Sequence, residues 1–231
     1  MKSVIAGVLV LTVLVIAAFA VQPTGEPTTN TGTATTKVVE SDIELTIETN
    51  QEKRVYFQMT TSLGDLYLEL NNELAPISTA NFLTYATEGY YDGTIFHRVI
   101  AGFMIQGGGF DVDMNKKETK EGIENEWTNG LSNVKGSIAM ARLGGQANSG
   151  TSQFFINVAE NGFLDQPRDG SGYAVFGRVV KGMDVVEKIR LVPTGTKRGM
   201  GDVPTEPVVI EKVTVLDAEK VEELGLAAAE D

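Results

Sequence analysis

Residues Phe96–Phe110, FHRVIAGFMIQGGGF, place one arginine, Arg98, ahead of an apolar pair, Phe103 and Met104, then an amide, Gln106, and three glycines. A second stretch, Gly136–Asp165, reads GSIAMARLGGQANSGTSQFFINVAENGFLD and contributes Ala141, Arg142, Gln153, Phe155, Phe163 and Leu164; Tyr173 follows it. A guanidinium is a rigid fork of donors, suited to a carbonyl or to a lone pair that develops during reaction. Phe103, Met104, Phe155 and Leu164 can wall an apolar pocket. The amides of Gln106 and Gln153 suit contacts to a peptide backbone and can hold Arg98 in place. Taken singly, each residue has an ordinary reading: a solvated surface arginine, core phenylalanines, a buried strand at Gln153-Phe154-Phe155. The signal lies in their joint order and spacing.

Other motifs fall away on inspection. His97 is the only histidine and has no acid–base partner in its motif, so it reads as structural. Gly107-Gly108-Gly109 lacks the remaining glycine and the strand–helix setting of a dinucleotide site; it reads as a tight backbone turn. Asp111–Asn115 imitates a calcium loop, but Lys116 stands where glycine is needed and Gly122 where glutamate is needed. No metal or cofactor is expected. The absence of cysteine excludes disulfides, thiolate catalysis, cysteine metal sites and a lipidated cysteine anchor.

The elements that must carry these residues are mostly short strands. Val55–Thr60 and Leu66–Leu70 flank a turn at Ser62–Asp65, and Leu66, Leu68 and Leu70 alternate as in a half-buried hairpin. Ala75-Pro76 opens a helix that Gly89 ends, with Ile77, Ala80, Leu83 and Ala86 as its expected buried face. Apolar runs follow at 95–99, 103–106, 138–140, 154–158 and 174–179, each bounded by glycine, asparagine or serine. A second helix fits Met183–Arg190 with Val185, Val186 and Ile189 inward. Val208–Leu216 reads as a late strand and Ala218–Ala229 as a frayed terminal helix. Many short strands with two helices far apart predict an antiparallel barrel, although pattern alone does not separate it from a sandwich.

The 231 residues are 42% hydrophobic, which suits one globular domain with extensions. The formal charge of -12 opposes phosphate backbones, so nucleic acid is not an expected partner. Residues 1–20 read as an export signal: Lys2, the apolar run Val4–Ala17, and Ala18-Phe19-Ala20 as a cleavage site. The competing reading is an uncleaved membrane anchor, since the run reaches about the length that spans a bilayer. Residues 21–53 form a threonine-, proline- and glycine-rich linker with a short strand at Val38–Glu48. The expected domain is 54–217, and 218–231 is a tail.

FHRVIAGFMIQGGGF, GSIAMAR, SGTSQFFINV, FLD and GYAVFGRVVKGMDVVEKI together resemble the bacterial branch of the cyclophilin family, over roughly seven-tenths of the chain. The resemblance implies a mainly β fold, a closed eight-stranded antiparallel barrel capped by two α-helices, with a substrate groove on its outside. It implies peptidyl-prolyl cis-trans isomerase activity on proline-containing polypeptides without a cofactor. Arg98 would be catalytic. Phe103, Met104, Gln106, Ala141, Arg142, Gln153, Phe155, Phe163, Leu164 and Tyr173 would line the groove, with backbone at Ala141 and Arg142 pairing with substrate. Phe163 stands where the eukaryotic branch has a tryptophan, Arg142 where it has asparagine and Tyr173 where it has histidine; weak cyclosporin binding follows.

The implied reaction needs little machinery. Rotation about a peptide bond costs about 18–20 kcal/mol because resonance is broken, and no covalent bond changes. Going from about 0.01 per second to about 10 per second takes roughly 4 kcal/mol. One charged hydrogen bond and a shaped pocket can supply that. With an export signal, the expected role is folding of exported proteins, in the periplasm or tethered to the inner membrane. The alternative is a binding module of the same fold that holds extended proline-containing segments as a chaperone or scaffold; such a module would be free to lose Arg98.

Overall fold

The structure, a computed structural model, describes residues 53–166 and 169–227, all within one compact unit, Glu48–Asp231. The expected signal, linker and Val38–Glu48 strand lie outside the described residues. Among those described, no helix is long and apolar enough to cross a bilayer.

β1 (Arg54–Thr61) and β2 (Gly64–Asn71) pair antiparallel, with Arg54 opposite Asn71 and Thr61 opposite Gly64. The turn is tighter than expected, two residues, Ser62-Leu63, closed by Thr61 Oγ1 donating to Gly64 O at 2.6 Å. Leu66, Leu68 and Leu70 are fully buried, as the alternation predicts. α1 (Pro76–Thr87) begins with proline in its first turn, and Gly89, at φ +67°, follows its C-terminal cap, Glu88.

Of the expected buried face of α1 only Ala86 is buried. Ser78, Thr79, Phe82, Tyr85 and Ala86 point inward, while Ile77 and Ala80 are exposed and Leu83 is half-buried. The helix is apolar or hydroxylic nearly all round, so its sequence does not select a face. A distant contact does. The Glu126 carboxylate accepts from Ile77 N at 2.9 Å, Ser78 N at 2.8 Å and Ser78 Oγ at 2.7 Å. It satisfies free amides of the first turn, complements the helix dipole, and turns Ser78 inward. Phe82 then meets Phe57 edge-on at 5.2 Å and Phe154 at 5.7 Å.

Nine more strands and one α-helix follow before the terminal helix. They are β3 (Thr94–Ile95), β4 (Arg98–Ile100), β5 (Met104–Gly107), β6 (Ser137–Met140), β7 (Phe154–Asn157), β8 (Val175–Lys181), α2 (Met183–Arg190), the hairpin β9 (Thr194–Lys197) and β10 (Met200–Pro204), and β11 (Val209–Val215). A 3₁₀ turn spans Gly162–Leu164. α2 has the expected bounds and buries Val185, Val186 and Ile189. α3 (Ala218–Glu223) is capped by Asp217, which accepts from Lys220 N. The architecture is thus mainly β with three helices, the third being the terminal helix expected from Ala218, over a shorter span.

The main sheet is antiparallel with nine strands, in the order β3-β11-β1-β2-β8-β6-β7-β5-β4. This corrects the expected closed eight-stranded barrel: β3 and β4 are edges, and no ladder joins them. Yet Ile95 and Arg98, at opposite edges, are only three residues apart in the chain. Three steps of about 3.8 Å hold the edges within about 11 Å. The sheet is therefore rolled, and its seam is crossed by the chain through Phe96-His97 and by isolated contacts, Ile95 N donating to Phe110 O at 3.0 Å beside a Thr94–Asp111 bridge, instead of by a ladder.

One face of the roll is core. Val99, Ile105, Ile156, Ile138, Gly177 and Leu70 lie in register across six strands. Gly177 must lack a side chain, since a Cβ there would sit 2.4 Å from Glu69 O. The other face carries a smaller apolar cluster of Met104, Ala139, Phe155, Leu164 and Val175.

Candidate active site

Register builds the site. Arg98 on β4 faces Gln106 on β5, Gln106 faces Phe155 on β7, Phe155 faces Ala139 on β6, and Ala139 faces Val175 on β8. Directly opposed residues share a face, so these five form one row on the outer side of the roll. Four strand spacings of about 4.8 Å give it a length of about 19 Å. Period-two alternation places Phe154 and Ile156 in the core and sends Phe155 to the groove.

The row ends in a pocket of about 230 Å³ lined by Arg98, Phe103, Met104, Gln106, Ala141, Arg142, Phe155, Leu164 and Tyr173. Nine of the eleven expected site residues thus converge. Gln153 holds the pocket from outside its wall: its Oε1 accepts from Gln106 Nε2 at 3.0 Å. Gln153 packs over Gly109 so closely that a Cβ there would lie 2.5 Å from its side chain. The glycine run is the turn expected under the groove, with Gly108 at φ +79°. Phe163 lies one step away, in an adjoining hollow of about 380 Å³ that also meets Phe103, Gln166, Asp169 and Ser171. It is 43% exposed and stacks on Phe103 at 5.7 Å.

The pocket floor is apolar: Met104, Phe155 and Leu164 are buried, and Phe155 meets Tyr173 edge-on at 5.7 Å. The Arg98 side chain is 41% exposed and reaches solvent at the pocket rim, with Asp202 Oδ2 3.8 Å from its Nε.

Arg142 differs from its expected part. Its side chain is 3% exposed and fully engaged. Nε donates to Gly172 O, NH1 to Leu143 O and Asp169 Oδ2, and NH2 to Asp169 Oδ1 and Ser171 O, all within 3.1 Å. Its guanidinium carbon lies 4.5 Å from the Tyr173 ring centroid. It staples the 169–172 loop to the strand end and braces Tyr173. Asp169 is held well below the usual carboxylate range, first by the Arg142 bond and then by Gly145 N. Ala141 N is donated to Gln153 O at 3.0 Å, so that donor is not available to an incoming strand.

A polar network without a local sequence pattern ties the groove walls together. Buried Asn157 donates to Asn133 Oδ1 and Ser137 Oγ and accepts from Asn161 Nδ2 at 2.7 Å. Asn161 Nδ2 also donates to Phe103 O at 2.8 Å. Asn133 Nδ2 donates to Asp165 Oδ1 and to Tyr173 O. Three asparagines thus fix the backbone under two lining rings.

His97 is buried against Phe110, ring centroids 4.6 Å apart, and its Nδ1 has no hydrogen-bond partner. Burial lowers its pKa to about 4, with the Arg98 charge adding to the effect. It is neutral at pH 7, in keeping with a structural part. The Asp111 carboxylate is taken up within its own loop, accepting from Asp113 N, Asn115 N and Asn115 Nδ2.

Comparison with known proteins agrees with this geometry. The profile of the family described as cyclophilin type peptidyl-prolyl cis-trans isomerase/CLD matches residues 56–215. A peptidyl-prolyl cis-trans isomerase of Acinetobacter baylyi is 54% identical over 158 residues, covering 68% of this chain and 84% of its own. Peptidyl-prolyl cis-trans isomerase B of Escherichia coli is 54% identical over 159 residues, covering 67% and 96%. A crystal structure of a Cryptosporidium parvum cyclophilin-type isomerase in the presence of the dipeptide Ala-Pro superposes with TM-score 0.57 at 26% identity, covering 70% of this chain and 99% of that one.

Proposed function

The chain belongs to the cyclophilin-type peptidyl-prolyl cis-trans isomerase family, and we propose how its groove divides the work of rotating X-Pro bonds. The observation that carries the reading is the single row of Arg98, Gln106 and Phe155, with an apolar pocket beside a solvent-facing guanidinium. The proline ring enters the pocket of Phe103, Met104, Phe155 and Leu164, and Tyr173 closes its side. The Gln106–Gln153 amide pair meets the substrate backbone. Arg98 donates to the prolyl nitrogen as rotation removes resonance and returns its lone pair. That interaction is stronger in the twisted state than in either planar isomer, which is what accelerates the reaction.

A protease-coupled assay on an Ala-Pro peptide tests this. Arg98→Ala removes a half-exposed side chain and leaves the fold intact, and kcat/KM falls at least tenfold, about 1.4 kcal/mol. Arg98→Lys restores only part, since a point charge cannot reproduce the planar fork. Near-wild-type turnover in folded Arg98→Ala overturns the mechanism.

The N-terminal sequence supports an exported role in folding newly secreted chains, with the domain periplasmic or tethered by residues 4–17. Fractionation with N-terminal sequencing separates a cleaved form beginning at Val21 from one retaining Met1; a full-length cytosolic protein overturns both.

A further inference from the structure

One charged group beside Arg98 has no part in this division of work. β9 and β10 form a hairpin apart from the main sheet, and the β9 side chains are all exposed. The hairpin is nevertheless firmly pinned. Val203 is buried with Ile95 and Met114, and Met200 packs on the same cluster. Lys197 Nζ donates to Val112 O at 3.2 Å, and Arg198 NH1 to Asn115 Oδ1 at 2.8 Å. The register slips between Met200 and Val203, and Asp202, inside the slip, has φ +60°. Non-glycine residues seldom adopt that left-handed conformation.

The strained placement sets Asp202 Oδ2 3.8 Å from Arg98 Nε. Both side chains are largely solvated, 41% and 48% exposed, so the pair adds little to folding stability. Its geometry bears on the groove instead. Nε lies at the stem of the guanidinium, and a carboxylate there restrains a long side chain while leaving both terminal amino groups free.

We propose that Asp202 is a positioning residue for Arg98. Held through Nε from the rim, the guanidinium presents its terminal N–H groups to the pocket shared with Phe103, Met104 and Gln106. This rests on the reading that Arg98 acts on the substrate.

Asp202→Asn tests it, because asparagine also tolerates the left-handed region and only the charge is lost. In low salt the variant loses about two- to fivefold in kcat/KM, the range of an exposed ion pair. In about 1 M NaCl, where the screening length falls to about 3 Å, the ratio of wild type to variant approaches one. Asp202→Gly relieves the strained φ, so its melting temperature holds or rises while its activity falls as far. The Arg98 Nε–Hε resonance shifts in both variants as the neighbouring carboxylate is lost. Wild-type or higher activity of Asp202→Asn in low salt, with Arg98→Ala inactive, overturns the positioning role and leaves the catalytic one standing. If Arg98→Ala is itself active, both fall.

Discussion

Asn157→Ala separates the frame of the groove from its chemistry. Asn157 is fully buried and makes three side-chain hydrogen bonds, to Asn133 Oδ1 at 3.0 Å, Ser137 Oγ at 2.9 Å and Asn161 Nδ2 at 2.7 Å. Alanine leaves Asn133 Oδ1 without its side-chain donor. Ser137 Oγ and Asn161 Nδ2 each lose one contact but keep another, to Val134 O and Phe103 O. A buried group left unsatisfied costs about 1–3 kcal/mol, and the two partial losses add to it, for a total of about 2–4 kcal/mol. In a domain of this size that lowers the melting temperature by roughly 5–15 °C. Phe103 O keeps its bonds from Asn161 Nδ2 and Val158 N. Well below the melting point, kcat/KM therefore stays within about twofold of wild type, a difference of about 0.4 kcal/mol. Calorimetry and the coupled assay on one preparation decide it. A melting temperature within a degree or two of wild type shows that water replaces the side chain and that the network does not brace the groove.

Protonation of His97 should set a stability slope in mild acid. Its folded pKa is near 4 and its ordinary value 6.5, so the unfolded chain binds the extra proton between them. The contribution is complete above about pH 6.5 and is lost as pH falls toward 4, up to about 3 kcal/mol. NMR titration of this sole histidine and urea melts of His97→Phe check it, and an imidazole titrating above pH 6 refutes it. Phe163→Trp should tighten cyclosporin inhibition with little change in turnover, since the exposed ring gains an indole donor worth about 1 kcal/mol. Nanomolar inhibition of the unmodified protein would refute that reading of Phe163.

Legibility followed from periodicity. The alternation of Leu66, Leu68 and Leu70 and the 3.6-residue spacing of Val185, Val186 and Ile189 each have one polar and one apolar side, so burial is decided locally. α1 failed because Ile77, Ser78, Thr79 and Ala80 do not differ enough to orient a helix, and Glu126, 48 residues away, decides. The strand count failed because closure depends on whether the few bonds of Thr94 and Ile95 to Phe110 and Asp111 extend into a ladder, and a two-residue strand such as β3 leaves almost no pattern. Most of the groove was readable because its residues lie in two compact motifs. Asp169, Asp202 and the asparagines were not, since each acts through partners far along the chain.

These residues also explain why the site sits on the outer face of the roll. The inner face holds the large cluster of buried aromatic and aliphatic side chains. On β5 and β7 the same strands that fill the core with Ile105, Phe154 and Ile156 present Met104, Gln106 and Phe155 outward. The groove therefore inherits the rigidity of the core while its lining can change without disturbing it. Rotation of a peptide bond asks for this arrangement, because a stiff pocket must hold the ring still while the preceding carbonyl swings. Arg98 and its neighbour Asp202 are kept at the solvated rim, where charge costs least to maintain.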